Sequence, residues 1–224
     1  GSFGWQRFLG ATSGTRGAFD WNAGVQRLST DNEAPNSRFE QTAAALCAGA
    51  RIDSRTEARA VVRCDDGTTG TPGPTAFGRP DLDASFARED LVVSASVRRA
   101  EARLAQQLNV GYARTDQLSR NPEDSGCYVP EWEGQAGAYP NCDSPNEAGF
   151  QNQTSRLAAG YQADVSLGTR HLLTTGAEVE HETGALGNRA GELLTPERTN
   201  FGAYLQDRVL LGSRAYLTVG GRVE

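Results

Sequence analysis

The sequence contains no lysine, and all 22 of its basic residues are arginine. That absence removes a phosphate-loop ATPase, a Schiff-base enzyme and any lysine general base. Methionine is missing too, and histidine is limited to His171 and His181. No Gly-x-Ser-x-Gly elbow sets a nucleophilic serine beside a histidine base. The glycine-rich run at 67–73 lacks the Gly-x-Gly-x-x-Gly spacing and precedes no helical pattern, so it reads as loop. No stretch approaches the ~18 consecutive apolar residues of a membrane-spanning helix, the longest candidate being the small-residue run at 43–50. A net charge of -6 without clustered cations argues against a nucleic-acid partner. An enzyme is not expected, nor a resident cofactor. The chain opens on Gly1 and Ser2 with no signal-like segment, and the expectation is a fragment of a longer protein.

What is present is alternation of period two, the mark of strands whose successive side chains face opposite sides of a sheet. Ala215, Leu217, Val219, Gly221 and Val223 alternate with Tyr216, Thr218, Gly220, Arg222 and Glu224. Phe201, Ala203, Leu205 and Val209 alternate in the same way with Tyr204, Gln206 and Arg208. Earlier, Leu157, Ala159, Tyr161, Ala163 and Val165 oppose Arg156, Gln162 and Asp164, and Leu173, Ala177 and Val179 oppose Thr174, Glu178 and Glu180.

The connections alternate in length. Short turns are expected at 13–16, 54–56, 99–101, 168–170 and 212–213, and long polar loops at 30–37, 65–88, 120–150 and 184–199. The prediction is an all-β, antiparallel up-and-down meander of about ten long strands in one domain over 1–224. Strands of ~9 to 11 residues suit a tilted bilayer crossing, and short turns opposite long loops are the plan of an outer-membrane barrel. A partial transmembrane β-barrel, with lipid on one face, is therefore the leading reading. A soluble extracellular β-sheet binding module and a passive porin stay open at this point.

The stretch Gly24-Val25-Gln26-Arg27-Leu28-Ser29-Thr30-Asp31-Asn32-Glu33-Ala34-Pro35-Asn36-Ser37 resembles the strand and acidic first loop of TonB-dependent receptors of the cobalamin and siderophore branch. Gly70-Thr71-Pro72-Gly73-Pro74 with Phe77-Gly78-Arg79-Pro80-Asp81 is similar to their next outer loop. Leu108-Asn109-Val110-Gly111-Tyr112-Ala113-Arg114-Thr115-Asp116 and Asn200-Phe201-Gly202-Ala203-Tyr204-Leu205-Gln206-Asp207-Arg208 resemble their barrel strands. The resemblance implies a barrel of about 22 strands around a plug, energised uptake of cobalamin or an iron-siderophore, and coupling to the TonB-ExbB-ExbD complex. By that comparison the plug and the C-terminal strands are not in this stretch of sequence.

Candidate sites follow from the residues. Four cysteines fall into local pairs without C-x-x-C spacing, so disulfides Cys47–Cys64 and Cys127–Cys142 and an oxidising compartment are expected. A hairpin turning at Arg55 and Thr56 sets Cys47 opposite Cys64. The second bridge closes a loop holding Tyr128, Trp132 and Tyr139, aromatic side chains suited to ligand contact or to simple loop packing. Asp31 and Glu33, with Asp65 and Asp66, offer oxygen ligands for calcium, against the plainer reading of solvated loop charges. His171 and His181 share a strand face but lie roughly 33 Å apart, so they serve as interface residues and not as one metal site. Arg156, Gln162, Glu178, Glu180, Tyr204, Gln206 and Arg208 are expected on an inward wall, lining a transport path or meeting a plug.

Overall fold

The computed structural model describes residues 2–73, 79–129, 131–132, 135–137, 140–212 and 214–224. In chain order the strands are β1 (Gln6–Arg16), β2 (Phe19–Thr30), β3 (Phe39–Arg51), β4 (Thr56–Gly70), β5 (Ser85–Ala100), β6 (Leu104–Asn121), β7 (Cys127–Tyr128), β8 (Glu131–Trp132), β9 (Gln135–Ala136), β10 (Asn141–Cys142), β11 (Asn146–Leu167), β12 (His171–Asn188), β13 (Glu197–Leu211) and β14 (Ala215–Val223). Ten of them form one antiparallel sheet, β1-β2-β3-β4-β5-β6-β11-β12-β13-β14, each hydrogen-bonded to its neighbours in sequence order. The four short strands pair as β7 with β10 and β8 with β9 inside the loop between β6 and β11. The predicted ten-strand meander is the observed architecture.

Cross-strand register shows why these sequences make this sheet. One row of directly opposed residues runs Trp21, Ala48, Ala60, Ala95, Val110, Ala159, Val179, Phe201, and every member is apolar. The row one residue away runs Asp20, Gly49, Arg59, Ser96, Asn109, Gly160, Glu178, Gly202, and every member is polar or glycine. Because side chains alternate faces, the two rows look in opposite directions. A one-residue slip of any strand would exchange them, so the pattern fixes the register.

Among the described residues nothing covers the apolar face. Leu217 and Val219 are 51% and 61% exposed, and among the described residues only Ala84 and Ala163 are buried apolar side chains. No second sheet packs on this one among the described residues, so the core of a sandwich is missing and the apolar surface is the outside of a single wall. On β5 that surface is bounded by Glu89 and Arg99, with Leu91, Val93, Ala95 and Val97 between them. At ~3.3 Å per residue and a tilt of about 40° the two charges are roughly 25 Å apart across the sheet, the height of a bilayer's hydrocarbon band.

Five short turns join the strands at one end. Gly17, Gly168 and Gly212 open three of them at positive φ, a backbone that glycine adopts without strain. In the β3–β4 turn the Asp53 carboxylate accepts the Arg55 N–H at 2.7 Å and the Thr56 hydroxyl at 3.1 Å. The Arg55 amide bond holds the Asp53 carboxyl below its usual range. The first and third turns lie at 17–18 and 101–103, slightly beyond the expected positions.

That β3–β4 hairpin corrects one expectation. Its turn centres on Ser54, so Cys47 opposes Val61 and Cys64 opposes Ala44. Cys47 therefore lies on the polar face and Cys64 on the apolar face, and both are free thiols. The Cys47–Cys64 disulfide does not form, because a three-residue change of register reverses parity. The Cys127–Cys142 disulfide is present, across the paired β7 and β10.

Candidate functional site

The polar face is concave. One groove of about 1110 Å³ is lined by residues of seven strands, β4, β5, β6, β11, β12, β13 and β14. Along it β12 presents Glu178, Glu180 and Glu182, spaced two apart so that all three share the face. Register places arginines on both sides of this acidic ladder, Arg156 on β11 and Arg198 and Arg222 on β13 and β14. Arg156 pairs with Glu180 and stands 3.8 Å from Glu182. Arg198 reaches Glu182 at 2.5 Å and Glu180 at 4.0 Å. Arg222 pairs with Glu178 and with Glu224, the latter at 2.6 Å.

Further along β12 the wall is held by hydrogen bonds in place of ion pairs. The Tyr204 hydroxyl donates to Gln162 Oε1 at 2.9 Å, and Gln162 Nε2 donates to Asp164 at 3.2 Å. Thr174 donates to Asp164 Oδ1 at 2.7 Å. The structure thus brings Arg156, Gln162, Glu178, Glu180, Tyr204, Gln206 and Arg208 to one face, as their parity predicts. Each pair is partly exposed and singly of small energy; the lattice as a whole fixes side-chain positions along the groove.

The histidines stand at opposite ends of the apolar face of β12. His171 Nδ1 lies 2.7 Å from Asp207 Oδ2, and His181 Nδ1 lies 2.9 Å from Thr199 Oγ1. Neither meets the other.

At the long-loop end, three loops bind one another, an arrangement that no single sequence motif signals. Asn36 Nδ2 donates to the carbonyls of Asp81 at 3.0 Å and Ala84 at 2.7 Å, joining loop 31–38 to loop 71–84. The Asp83 carboxylate accepts the Glu123 N–H at 2.7 Å, joining loop 71–84 to loop 122–145. Gly70 sits so close beneath Asn36 that a Cβ would lie 2.7 Å from the Asn36 carbonyl carbon. Within the last loop the Asp143 carboxylate accepts N–H groups of Ser125 at 2.8 Å and Ser144 at 2.7 Å, and the Asn121 amide at 2.5 Å. The Ser125 bond leads the causes that hold its carboxyl below the ordinary range.

Of the aromatic candidates, Tyr128 lines a small cavity of about 120 Å³ with Arg79, Asp81 and Asp143. Trp132 pairs through its backbone with Gln135 in the β8–β9 hairpin. Tyr139 lies outside the described residues. The calcium candidates do not assemble. Asp31 and Glu33 have no third partner, since no three His, Cys, Asp or Glu side chains converge among the described residues. Asp65 and Asp66 point to opposite faces, Asp65 accepting from Gln41 Nε2 at 2.7 Å.

No family model matches the chain, and no curated protein matches it. Among solved structures, the outer membrane transporter YddB from Escherichia coli superimposes with a TM-score of 0.67 at 13% identity, over 97% of this chain and 33% of that one. The RagAB peptide transporter superimposes with a TM-score of 0.56 at 13% identity, over 96% of this chain and 31% of that one. The chain spans about a third of the length of each. At this identity the likeness is one of fold: the ten-stranded sheet has the architecture of a segment of an outer-membrane transporter's β-structure.

Proposed function

We propose that this chain forms part of the barrel of a TonB-dependent outer-membrane receptor that imports a scarce, bulky nutrient such as cobalamin or an iron-siderophore. The observation that carries the reading is the pair of adjacent rows, all apolar from Trp21 to Phe201 and all polar or glycine from Asp20 to Gly202. A wall of this kind suits hydrocarbon on one side and water or protein on the other. Outer-membrane lipid is then the partner of the apolar face. The ion-pair lattice of β11 to β14 suits a hydrated lumen or the surface of a plug domain, through which the TonB-ExbB-ExbD complex would supply energy. No reaction is catalysed on this reading; the work is selective binding outside the cell and energised passage inward.

The test is made on the full-length gene product. It should fractionate with outer membranes, require detergent for extraction and run faster on gels before boiling than after. Cells should take up labelled cobalamin or ferric siderophore only with TonB intact. Extraction without detergent would remove the barrel reading, and uptake that persists without TonB would leave a passive porin in its place.

A further inference from the structure

A second pocket, of about 580 Å³, opens at the long-loop end of β6, β11, β12 and β13. Its volume lies within the range of small-molecule sites. Register puts Ala113, Thr154, Gly184 and Leu186 on the polar side of the sheet here, and Pro196 closes the rim. The pocket wall is thus mostly apolar on a face that is otherwise polar. Arg156 and Arg198 line both this pocket and the larger groove, with Glu182 and Glu197 also at this one. The two spaces therefore meet at the arginine–glutamate quartet.

The quartet is not symmetric in what it presents. Arg156 and Arg198 are 56% and 63% exposed, whereas Glu180 and Glu182 beneath them are 20% and 35% exposed. A guanidinium has five N–H donors, and one carboxylate engages at most two in a fork. Donors therefore remain on the exposed side. The approach to this pocket also differs from the rest of the mouth. Loops 31–38, 71–84 and 122–145 are bound together, but loop 189–196 is short and folds back on β12, with Leu186 and Leu194 exchanging backbone bonds at 2.8 Å.

We infer that this pocket is a docking site for an amphipathic carboxylate, its apolar body against Leu186 and Pro196 and its anionic group on Arg156 and Arg198. The inference rests on the transport reading and narrows the chemistry of the cargo.

The full-length gene product in lipid nanodiscs is titrated calorimetrically with N-acetyl-leucyl-leucine and with its C-terminal amide. The acid should bind about tenfold more tightly than the amide, the effect of one charge-assisted contact. E182Q/R198Q should abolish that preference, and Gly184→Leu or, independently, Thr154→Leu should weaken the acid about tenfold or more by filling the pocket. Gel mobility before and after boiling establishes that each variant is folded. Equal binding of acid and amide, no binding of either, or undiminished binding in both folded filling variants would overturn the inference. TonB-dependent uptake without any probe preference removes this site alone, whereas absence from the outer membrane removes the transport reading as well.

Discussion

Tyr204 lies across Gly176 on the neighbouring strand, and its hydroxyl donates a hydrogen bond to Gln162 Oε1 one strand further on, at 2.9 Å. A Cβ on Gly176 would come within 2.6 Å of the Tyr204 ring. The glycine is the space the ring occupies, and the ring supplies the cover that the glycine lacks. Three strands, β11, β12 and β13, are joined through one side chain.

Removing that joint should be measurable. Tyr204→Phe should cost about 1 kcal/mol through the lost hydrogen bond, and Gly176→Ala about 1 to 3 kcal/mol through displacement of the ring. Because the two act on one contact, G176A/Y204A should cost less than the sum of G176A and Y204A in urea unfolding from vesicles. Strict additivity would show that the packing carries no energy.

The two faces should respond oppositely to charge. Val110→Arg, in the middle of the apolar row, should destabilise by about 2 to 4 kcal/mol in bilayers. Asn109→Arg, one residue away and facing the groove, should cost under about 1 kcal/mol. Equal penalties would mean that both faces meet the same solvent.

The cysteine assignment has a direct readout. Denaturing alkylation without reductant should tag two thiols, Cys47 and Cys64, and leave one disulfide, Cys127–Cys142. In the folded protein in vesicles, a polarity-sensitive bimane on Cys64 should emit at shorter wavelength than one on Cys47. Four untagged cysteines would restore the alternative register of the β3–β4 hairpin.

Acid should loosen the disulfide loop before it affects the sheet. Asp143 has its folded pKa lowered by the Ser125 amide. Its contribution is therefore complete above the unfolded value, near pH 4, and is lost as pH falls through the lower folded value. Amide exchange at Ser125 and Ser144 should accelerate over that descent, and Asp143→Ala should show the faster exchange already at neutral pH. Acceleration with rising pH beyond intrinsic chemistry would contradict the sign.

The sequence was most legible where the two faces of the sheet differ in polarity. From β11 onward, alternation alone sorted Leu157, Val179 and Leu217 from Arg156, Glu178 and Arg222. It failed where both sides offer the same environment. Residues 65–70 read as loop because Asp65, Asp66, Gly67, Thr68 and Thr69 are polar on both faces, yet they continue β4. Past the apolar band both faces are polar, and alternation has no cause. It failed again in β3, where Ala43, Ala44 and Ala45 carry the same side chain to both faces. With nothing there to fix parity, the turn could be misplaced and Cys47 set against the wrong partner. The ion-pair lattice was visible as a list of residues sharing one face, but its partners required register, and the loop-to-loop bonds of Asn36 and Asp83 required the folded structure.

Those bonds also govern how the long-loop end tolerates exchange. The carbonyls of Asp81 and Ala84 depend on a donor 45 and 48 residues earlier in the chain, so loop 71–84 transplanted alone from another protein would arrive without its counterpart. Chimeras that trade 31–38, 71–84 and 122–145 together should fold where single-loop exchanges falter. The three loops therefore behave as one unit of exchange, because each supplies bonds that another needs.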